Sequence, residues 1–273
     1  MGDRKMIVAA SVLGLLALYA VGVPWLAGVD DRVTDFASAR ANPSSSHWFG
    51  TDSAGRDLFV RSASAIRTSL LIAAACAFLA TVIGVAVGSV AGVWGGWVDR
   101  IVMRSTDAIN ALPHLLLGIV IVAMFRGSIA AIVLSIALTH WTQVARIVRS
   151  EILGLRSRPY IDAAIVAGAG RTHVLARHVL PAIVPQASIA VVLLLPHAIW
   201  HESTLSFLGF GLPPHEPSLG TLLSEARGSL LLGGWWTLVF PAAILLTATV
   251  AVAVAGSALR GAVSAPVPPK LAL

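Results

Sequence analysis

The sequence predicts an all-α, polytopic membrane protein with six membrane-spanning helices. Hydrophobic residues fill 57% of the 273 positions and charged residues only 12%, about half the charged share of a soluble domain. Mean hydropathy is +0.85. The apolar residues also gather into runs of roughly 20, the length a helix needs to cross the hydrocarbon core of a bilayer. The 19 Lys and Arg and 13 Asp and Glu lie almost entirely between those runs.

The spans follow in order. The first, Met6–Leu26, comes after Arg4 and Lys5. It is longer than the apolar core of a signal peptide and no clear small-residue cleavage site follows it, so it reads as a retained helix. The second, Ser69–Val93, carries Gly84, Gly88 and Gly92, which suits close helix packing. The third, Ala108–Phe125, has Pro113 near its start, and a tight turn at Arg126-Gly127 leads to the fourth, Ser128 to about Val144. The fifth, Ala182–Phe207, is interrupted by Pro185 and Pro196, and the sixth is Trp236–Ala258. Residues 38–46 read as an irregular loop, and 265–273, with its prolines, as a disordered tail. The implied organisation is a first helix plus external loop with a short amphipathic helix (1–68), a transmembrane core (69–264) and the tail (265–273).

The formal net charge of +6 does not point to nucleic acid, because the basic residues sit between apolar runs and anchor loops at lipid head groups. With the N-terminus inside, segments 1–5, 94–107, 145–181 and 259–273 hold 12 Lys and Arg, against seven outside. Six of the 12 are in 145–181, which should therefore be cytoplasmic, as should both termini. Cys76, the single cysteine, can form no internal disulfide. Trp48, Trp94, Trp97, Trp235 and Trp236 sit at helix ends and read as interface anchors. Asp52 is expected to cap the short external helix, with Arg56, Asp57 and Arg61 on its wet face. A bound metal there is disfavoured because the EF-hand ligand spacing is absent. Gly209, Gly211, Pro213 and Pro214 mark an outer loop that turns sharply. No nucleophile, base and orienting group occur together, so the chain is not expected to be an enzyme and no catalytic or metal residue is assigned. No G-x-x-x-x-G-K-[ST] phosphate loop is present, so the chain should bind no nucleotide or other cofactor itself.

Loop 145–181 holds the densest pattern. After Arg146, Arg149 and Glu151 come Asp162-Ala163-Ala164, then Gly168, then His178-Val179-Leu180-Pro181. This reads as two short helices separated by a turn at Gly168 and Gly170. The second runs from an N-cap at Thr172 to about His178, and Pro181 opens the next span. The residues leave two readings open: a helix that lies in a partner's groove, or an ordinary interfacial loop.

Segment 162–181, DAAIVAGAGRTHVLARHVLP, resembles the EAA loop of ABC-importer permeases: Glu-Ala-Ala, three residues, Gly, and a hydrophobic-Leu-Pro ending, with Asp162 in place of Glu. HWFGTDSAGRDLFVR (47–61) is similar to the His-x-x-Gly-Thr-Asp-x-x-Gly-Arg-Asp signature of the dipeptide, oligopeptide and nickel permease family. GGWVDRIVMRSTDAINALP (95–113), ESTLSFLGFGLPPHEPSLGTLLSEAR (202–227) and, more loosely, ALRGAV (258–263) fit the same family. The GTDxxGRD element resembles that of the second of its two permease subunits. The resemblance implies a MetI-like permease core in a bacterial inner (plasma) membrane, with the loop within 151–181 forming the coupling helix. Asp162, Ala163, Ala164, Gly168, Leu180 and Pro181 would then meet the ATPase. It further implies a homologous permease as heterodimer partner, two cytoplasmic ATPase domains holding ATP and Mg²⁺, and an extracytoplasmic substrate-binding protein. Expected cargoes are di- or oligopeptides, with nickel, other metal chelates or haem as alternatives.

A secondary transporter working without an ATPase is the competing class. Such proteins place ionisable residues near the midplane, and the first, second, third and sixth spans have none in their centres. The fifth span carries His197, His201 and Glu202. The histidines, four apart, share a helix face. All three are expected to line the pathway, against the plainer reading that both histidines hydrogen-bond neighbouring helices.

Overall fold

The computed structural model describes residues 2–27 and 33–263; the expected tail at 265–273 lies outside them. Ten α-helices are described: α1 (Gly2–Ala27), α2 (Leu58–Trp94), α3 (Gly96–Asn110), α4 (His114–Met124), α5 (Ile129–Arg156), α6 (Pro159–Val166), α7 (Arg171–Val174), α8 (Leu180–Phe207), α9 (Leu219–Leu230) and α10 (Trp236–Val263). One π turn, Leu175–Val179, fuses α7 to α8. The only β feature among the described residues is an isolated Thr51–Asp57 bridge. Helices α1, α2, α5, α10 and the α7–α8 rod are long and apolar enough to cross a membrane. The sixth span exists only as α3 and α4 together, bent by 82°.

That bend corrects the expected third span. Ala108–Asn110 belong to amphipathic α3, and α4 starts afresh behind Pro113. Proline lacks an N–H and pushes the residue before it out of the helical region, so the chain turns at Ala111–Pro113. The fourth span is longer than expected: α5 continues past Val144 to Arg156. Pro185 and Pro196 do not interrupt the fifth, since α8 runs through both; neighbouring helices offset the missing bonds in such spans.

The largest departure is at the N-terminal end of α2, which the arginine count predicts to face outward and which is called outer on that ground. No separate amphipathic helix exists there. The helix begins at Leu58, is capped by Asp57 rather than Asp52, and runs 37 residues across the expected boundary at 68/69. At 1.5 Å per residue that is about 55 Å, well beyond the roughly 30 Å hydrocarbon core. Its first turns therefore form part of an outer domain instead of lying on it.

Packing centres on α2 against α5. A Cβ on Gly84 or Gly88 would lie 2.5 Å from Val144 Cβ or Ala145 O, and one on Gly92 would lie 2.8 Å from Ile152 Cγ2. The glycines recur every fourth residue, so their backbone forms a groove that admits α5 at close range. The core falls into two clusters. An outer one gathers Leu58, Ile66, Ile132, Ile199, Leu219 and Trp236. An inner one gathers Val144, Ile152, Ile161, Val174, Val179 and Ile183. Helix α1 packs on α2 and α10 from outside the bundle, anchored where Tyr19 Oη donates to Phe59 O at 2.7 Å.

Candidate functional site: the inner elbow and the outer latch

The inner elbow is built from α6, α7 and the ends of α5 and α8. Helix α6 opens with Pro159 in its first turn, where a missing N–H costs nothing. It ends in a Schellman motif. Gly168 N–H donates to Ile165 O (2.9 Å) and Ala169 N–H to Ala164 O (3.0 Å). Gly168 takes φ +89°, the left-handed conformation this turn needs. The spacing Asp162-Ala163-Ala164-x3-Gly168 thus has a direct meaning: Ala164 is the carbonyl that closes the cap and Gly168 is the residue that turns it. Gly170, expected to turn as well, has φ −71° and is simply the residue before α7. Thr172 does not cap; it lies inside α7.

Only Ile161 of α6 is buried, seated in the inner core cluster. Tyr160, Asp162, Ala163, Ile165, Val166 and Ala167 are all exposed, Val166 at 88%. Leu180 and Pro181 are exposed too, at the start of α8. The π turn just before them has a local cause. Pro181 cannot supply the N–H that an α-helix would require at that point, and Leu180 N–H reaches back to Leu175 O instead. The elbow is therefore an exposed short helix fixed at one buried residue and joined by a rigid turn to a membrane rod.

Two ion pairs brace it from α3. Arg149 is bonded to Asp99 through both Nε and Nη2, and Arg146 Nη2 donates to Asp107 Oδ1 at 2.6 Å. Arg156 Nη1 donates to Gly92 O at the end of α2 (3.2 Å). The arginines that made this loop the most basic in the chain are thus partly spent on orienting α5.

On the outer side the motif at 47–61 folds into a latch. Gly50 and Gly55 have positive φ, and a Cβ on Gly55 would meet Asp35 O at 1.7 Å. Asp52 accepts from Ala54 N and Arg56 N through Oδ1, and from Arg56 Nε through Oδ2 at 2.7 Å. Asp57 caps α2 through Phe59 N and Val60 N, and its other oxygen meets His47 Nδ1 at 2.9 Å. Arg61, expected on a wet face, is 1% exposed. It bonds Asp52 and reaches Glu225 Oε2 at 2.7 Å and Oε1 at 3.2 Å. Trp236, expected as an interface anchor, is buried, and its Nε1 donates to Thr51 O. Trp97 and Trp235 are exposed at helix ends as expected, whereas Trp48, also exposed, lies in a turn of the loop before α2.

Glu202 does not share the surface of His197. It is fully buried and accepts from Ser69 Oγ (2.8 Å) and Ser206 Oγ (2.9 Å). Successive helical residues point about 100° apart, which carries Glu202 into the subunit while His197 stays exposed and His201 half-buried. Ser69 Oγ also accepts from Leu219 N at 3.1 Å. The stretches 47–61 and 202–227, distant in sequence, therefore meet at Glu225, which takes both Arg56 and Arg61, and Ser69, further along α2, ties Glu202 to Leu219 within the second stretch. Sequence reading missed Arg61, Ser69 and Glu225 as partners, and it missed His114 and His140, which stand beside the α8 histidines. Pairings separated by 133 to 164 residues leave no periodic signal.

Five helices long and apolar enough to cross a membrane, with a short exposed helix at one end and an ion-paired cap at the other, define a multi-span membrane protein. The chain belongs to the family described as binding-protein-dependent transport system inner membrane component, which matches residues 84–265. It is similar to the oligopeptide transport system permease protein OppC of Bacillus subtilis, with 35% identity over 260 residues, 95% of this chain and 85% of that one. It is also similar to the nickel transport system permease protein NikC of Escherichia coli K12, with 32% identity over 92% of this chain and 91% of the relative. OppC of Haemophilus influenzae is 32% identical over 95% of this chain and 84% of its own length. The chain is a multi-pass permease subunit of an importer of this family.

Proposed function

We propose that this permease forms half of the translocation pathway of an ATP-driven peptide importer, with α6 as the helix that docks on the ATPase. Supporting the cargo, both OppC relatives are named for oligopeptide transport. Supporting the docking role, α6 buries only Ile161 and leaves Tyr160, Ala163, Ile165 and Val166 exposed on the side that the arginine count predicts to be cytoplasmic. A homologous permease supplies the other half of the pathway, a binding protein delivers peptide from outside, and both termini lie inside. This chain carries no catalytic residues of its own; ATP and Mg²⁺ belong to the two ATPase domains. Asp162, Ala163, Ala164 and Gly168 shape the docking helix, and Leu180 and Pro181 transmit its position to α8.

The single observation that carries this reading is the Schellman turn at Gly168, which fixes an otherwise exposed helix at the head of a membrane rod. Gly168→Pro removes both the positive φ and the N–H bond to Ile165; Asp162→Lys reverses the one charge on α6. Each variant is expected to insert and assemble normally and to lose peptide-stimulated ATP hydrolysis in the reconstituted complex. Normal stimulation in either assembled variant would overturn the docking assignment.

A further inference from the structure

The N-terminal half of α1 and the C-terminal half of α10 do not close on each other. Between them lies a groove of about 710 Å³, a volume within the range of small-molecule sites. Ala9 and Ala251 are the buried residues at its base. Val8 and Val12 on α1 are four residues apart, as are Leu246, Val250 and Val254 on α10, so each set forms a ridge along its helix. Small residues bring the two helices together and the branched ridges flare apart above them. Among the described side chains of α1 only Ala9 and Ala20 are buried.

The groove has a direction. It extends from Arg4 to Val12 on one wall and from Val254 to Leu246 on the other, about 12 Å at 1.5 Å per residue. Half of a hydrocarbon core is about 15 Å, so the groove runs through most of one leaflet. Its deep part is apolar except for Thr247, and its mouth is lined by Arg4 and Lys5.

Those two bases stand in the first turn of α1, where the helix dipole is positive and cations are disfavoured. They outnumber Asp3, the one acid in α1, and the ion pairs among the described residues involve no residue of that helix. Arg260, in the last turn of α10, adds positive charge at the same end of the bundle. Topology accounts for basic residues on the cytoplasmic side, but it does not require them to line an apolar groove. A helix of a partner subunit would cover the ridges and leave both cations unmatched. An anionic phospholipid meets both halves of the site: acyl chain against the ridges, phosphate against a guanidinium and an ammonium.

We propose that the groove between α1 and α10 holds one anionic phospholipid, with an acyl chain between the valine ridges and its headgroup on Arg4 and Lys5. The lipid fills the wedge that the branched side chains leave and fastens α1 to the core. The site does not depend on what the transporter carries.

The test uses the complete transporter, with its partner subunits, in phosphatidylcholine nanodiscs into which phosphatidylglycerol with the same acyl chains is titrated. Bound lipid is counted by native mass spectrometry, and stability is read from thermal unfolding. The wild type should retain one phosphatidylglycerol more per permease than Arg4→Gln/Lys5→Gln. Its apparent affinity should be about 25-fold higher, from about fivefold for each basic residue near an anionic headgroup. Val250→Trp, which fills the groove from an exposed wall position, should lose the same lipid with both bases in place. Leu18→Trp, on an exposed part of α1 outside the groove, should keep it. Phosphatidylglycerol should raise the melting temperature of the wild type and of Leu18→Trp more than that of either groove variant. Basic residues also set orientation, so thiol labelling of Ser45→Cys in intact cells checks that the charge variant inserts correctly; if it inverts, Val250→Trp decides. No preference for phosphatidylglycerol in the wild type, or equal binding by Val250→Trp, would overturn the site. A photoreactive residue at position 250 should crosslink to lipid, and its capture of a partner subunit instead would give the groove to a protein contact and overturn the proposal.

Discussion

At the scale of single residues, the charges that matter most are the ones that left the surface. Arg61 is the centre of the outer latch, held by Asp52 and by a forked contact with Glu225. Guanidinium geometry allows this double engagement, and an ammonium cannot reproduce it. Removing one member of a buried ionic group leaves its partners uncompensated, which costs about 3 kcal/mol or more. Arg61→Met should therefore destabilise the purified permease by about that amount, and Arg61→Lys by less, as read from thermal unfolding in nanodiscs. A melting temperature unchanged by Arg61→Met would show that Asp52 and Glu225 find enough compensation from Arg56, which also reaches both. The same scale explains why the motif at 47–61 looked like a surface helix. Alternating Asp and Arg is the pattern of a solvated face, and only the arrival of Glu225 from α9 converts it into a buried network.

At the scale of elements, the α2–α5 contact sets the architecture of the bundle. Gly84, Gly88 and Gly92 present bare backbone to Val144, Ala145, Val148 and Ile152. In lipid, where apolar burial gives little preference for helix over acyl chain, such close contact carries much of the association energy. Gly88→Leu should force the helices apart, lowering stability by roughly 2 kcal/mol and reducing assembled complex on native gels. Gly154→Ala in α5, where nothing lies within 4 Å of the added carbon, is the matched control. It is expected to be neutral or slightly stabilising, because alanine is the better helix former. Wild-type assembly for Gly88→Leu would mean that α5 can shift without consequence. The glycine spacing was readable in the sequence as a packing face. Its partner was not, because many apolar helices could have filled the groove equally well by composition.

At the scale of the whole molecule, orientation and coupling are the same question. The outer latch joins residues 51–61 to 225 and 236, and the inner elbow joins α3, α5 and α8, so the two ends of the bundle carry different chemistry. The arginine count predicts that the elbow faces the cytoplasm. Ser45→Cys should be labelled by an impermeant thiol reagent added to intact cells, and Ser157→Cys only after the membrane is opened. Both positions are exposed, and the native thiol, Cys76, is buried and should stay silent. Labelling of Ser157→Cys in intact cells would invert the topology and remove the docking role of α6.

The sequence by itself determined the class of molecule and the approximate position of its apolar helices, and it singled out loop 145–181 as the candidate coupling loop. Each rests on information local in the chain: run length against bilayer thickness, charge between runs, and a fixed spacing that ends in a glycine cap. It placed Asp162 on a short helix that turns at Gly168, and the cap that makes this turn closes within six residues. Only the tertiary structure decided which ionisable groups are buried together, that α2 projects into the outer latch, that Trp236 is an internal hydrogen-bond donor, and that His114 and His140 stand beside His197 and His201. Those outcomes depend on helices α4, α5, α8 and α9 meeting across separations of tens to hundreds of residues. A hydrogen bond between such distant residues leaves nothing in either local segment to mark it.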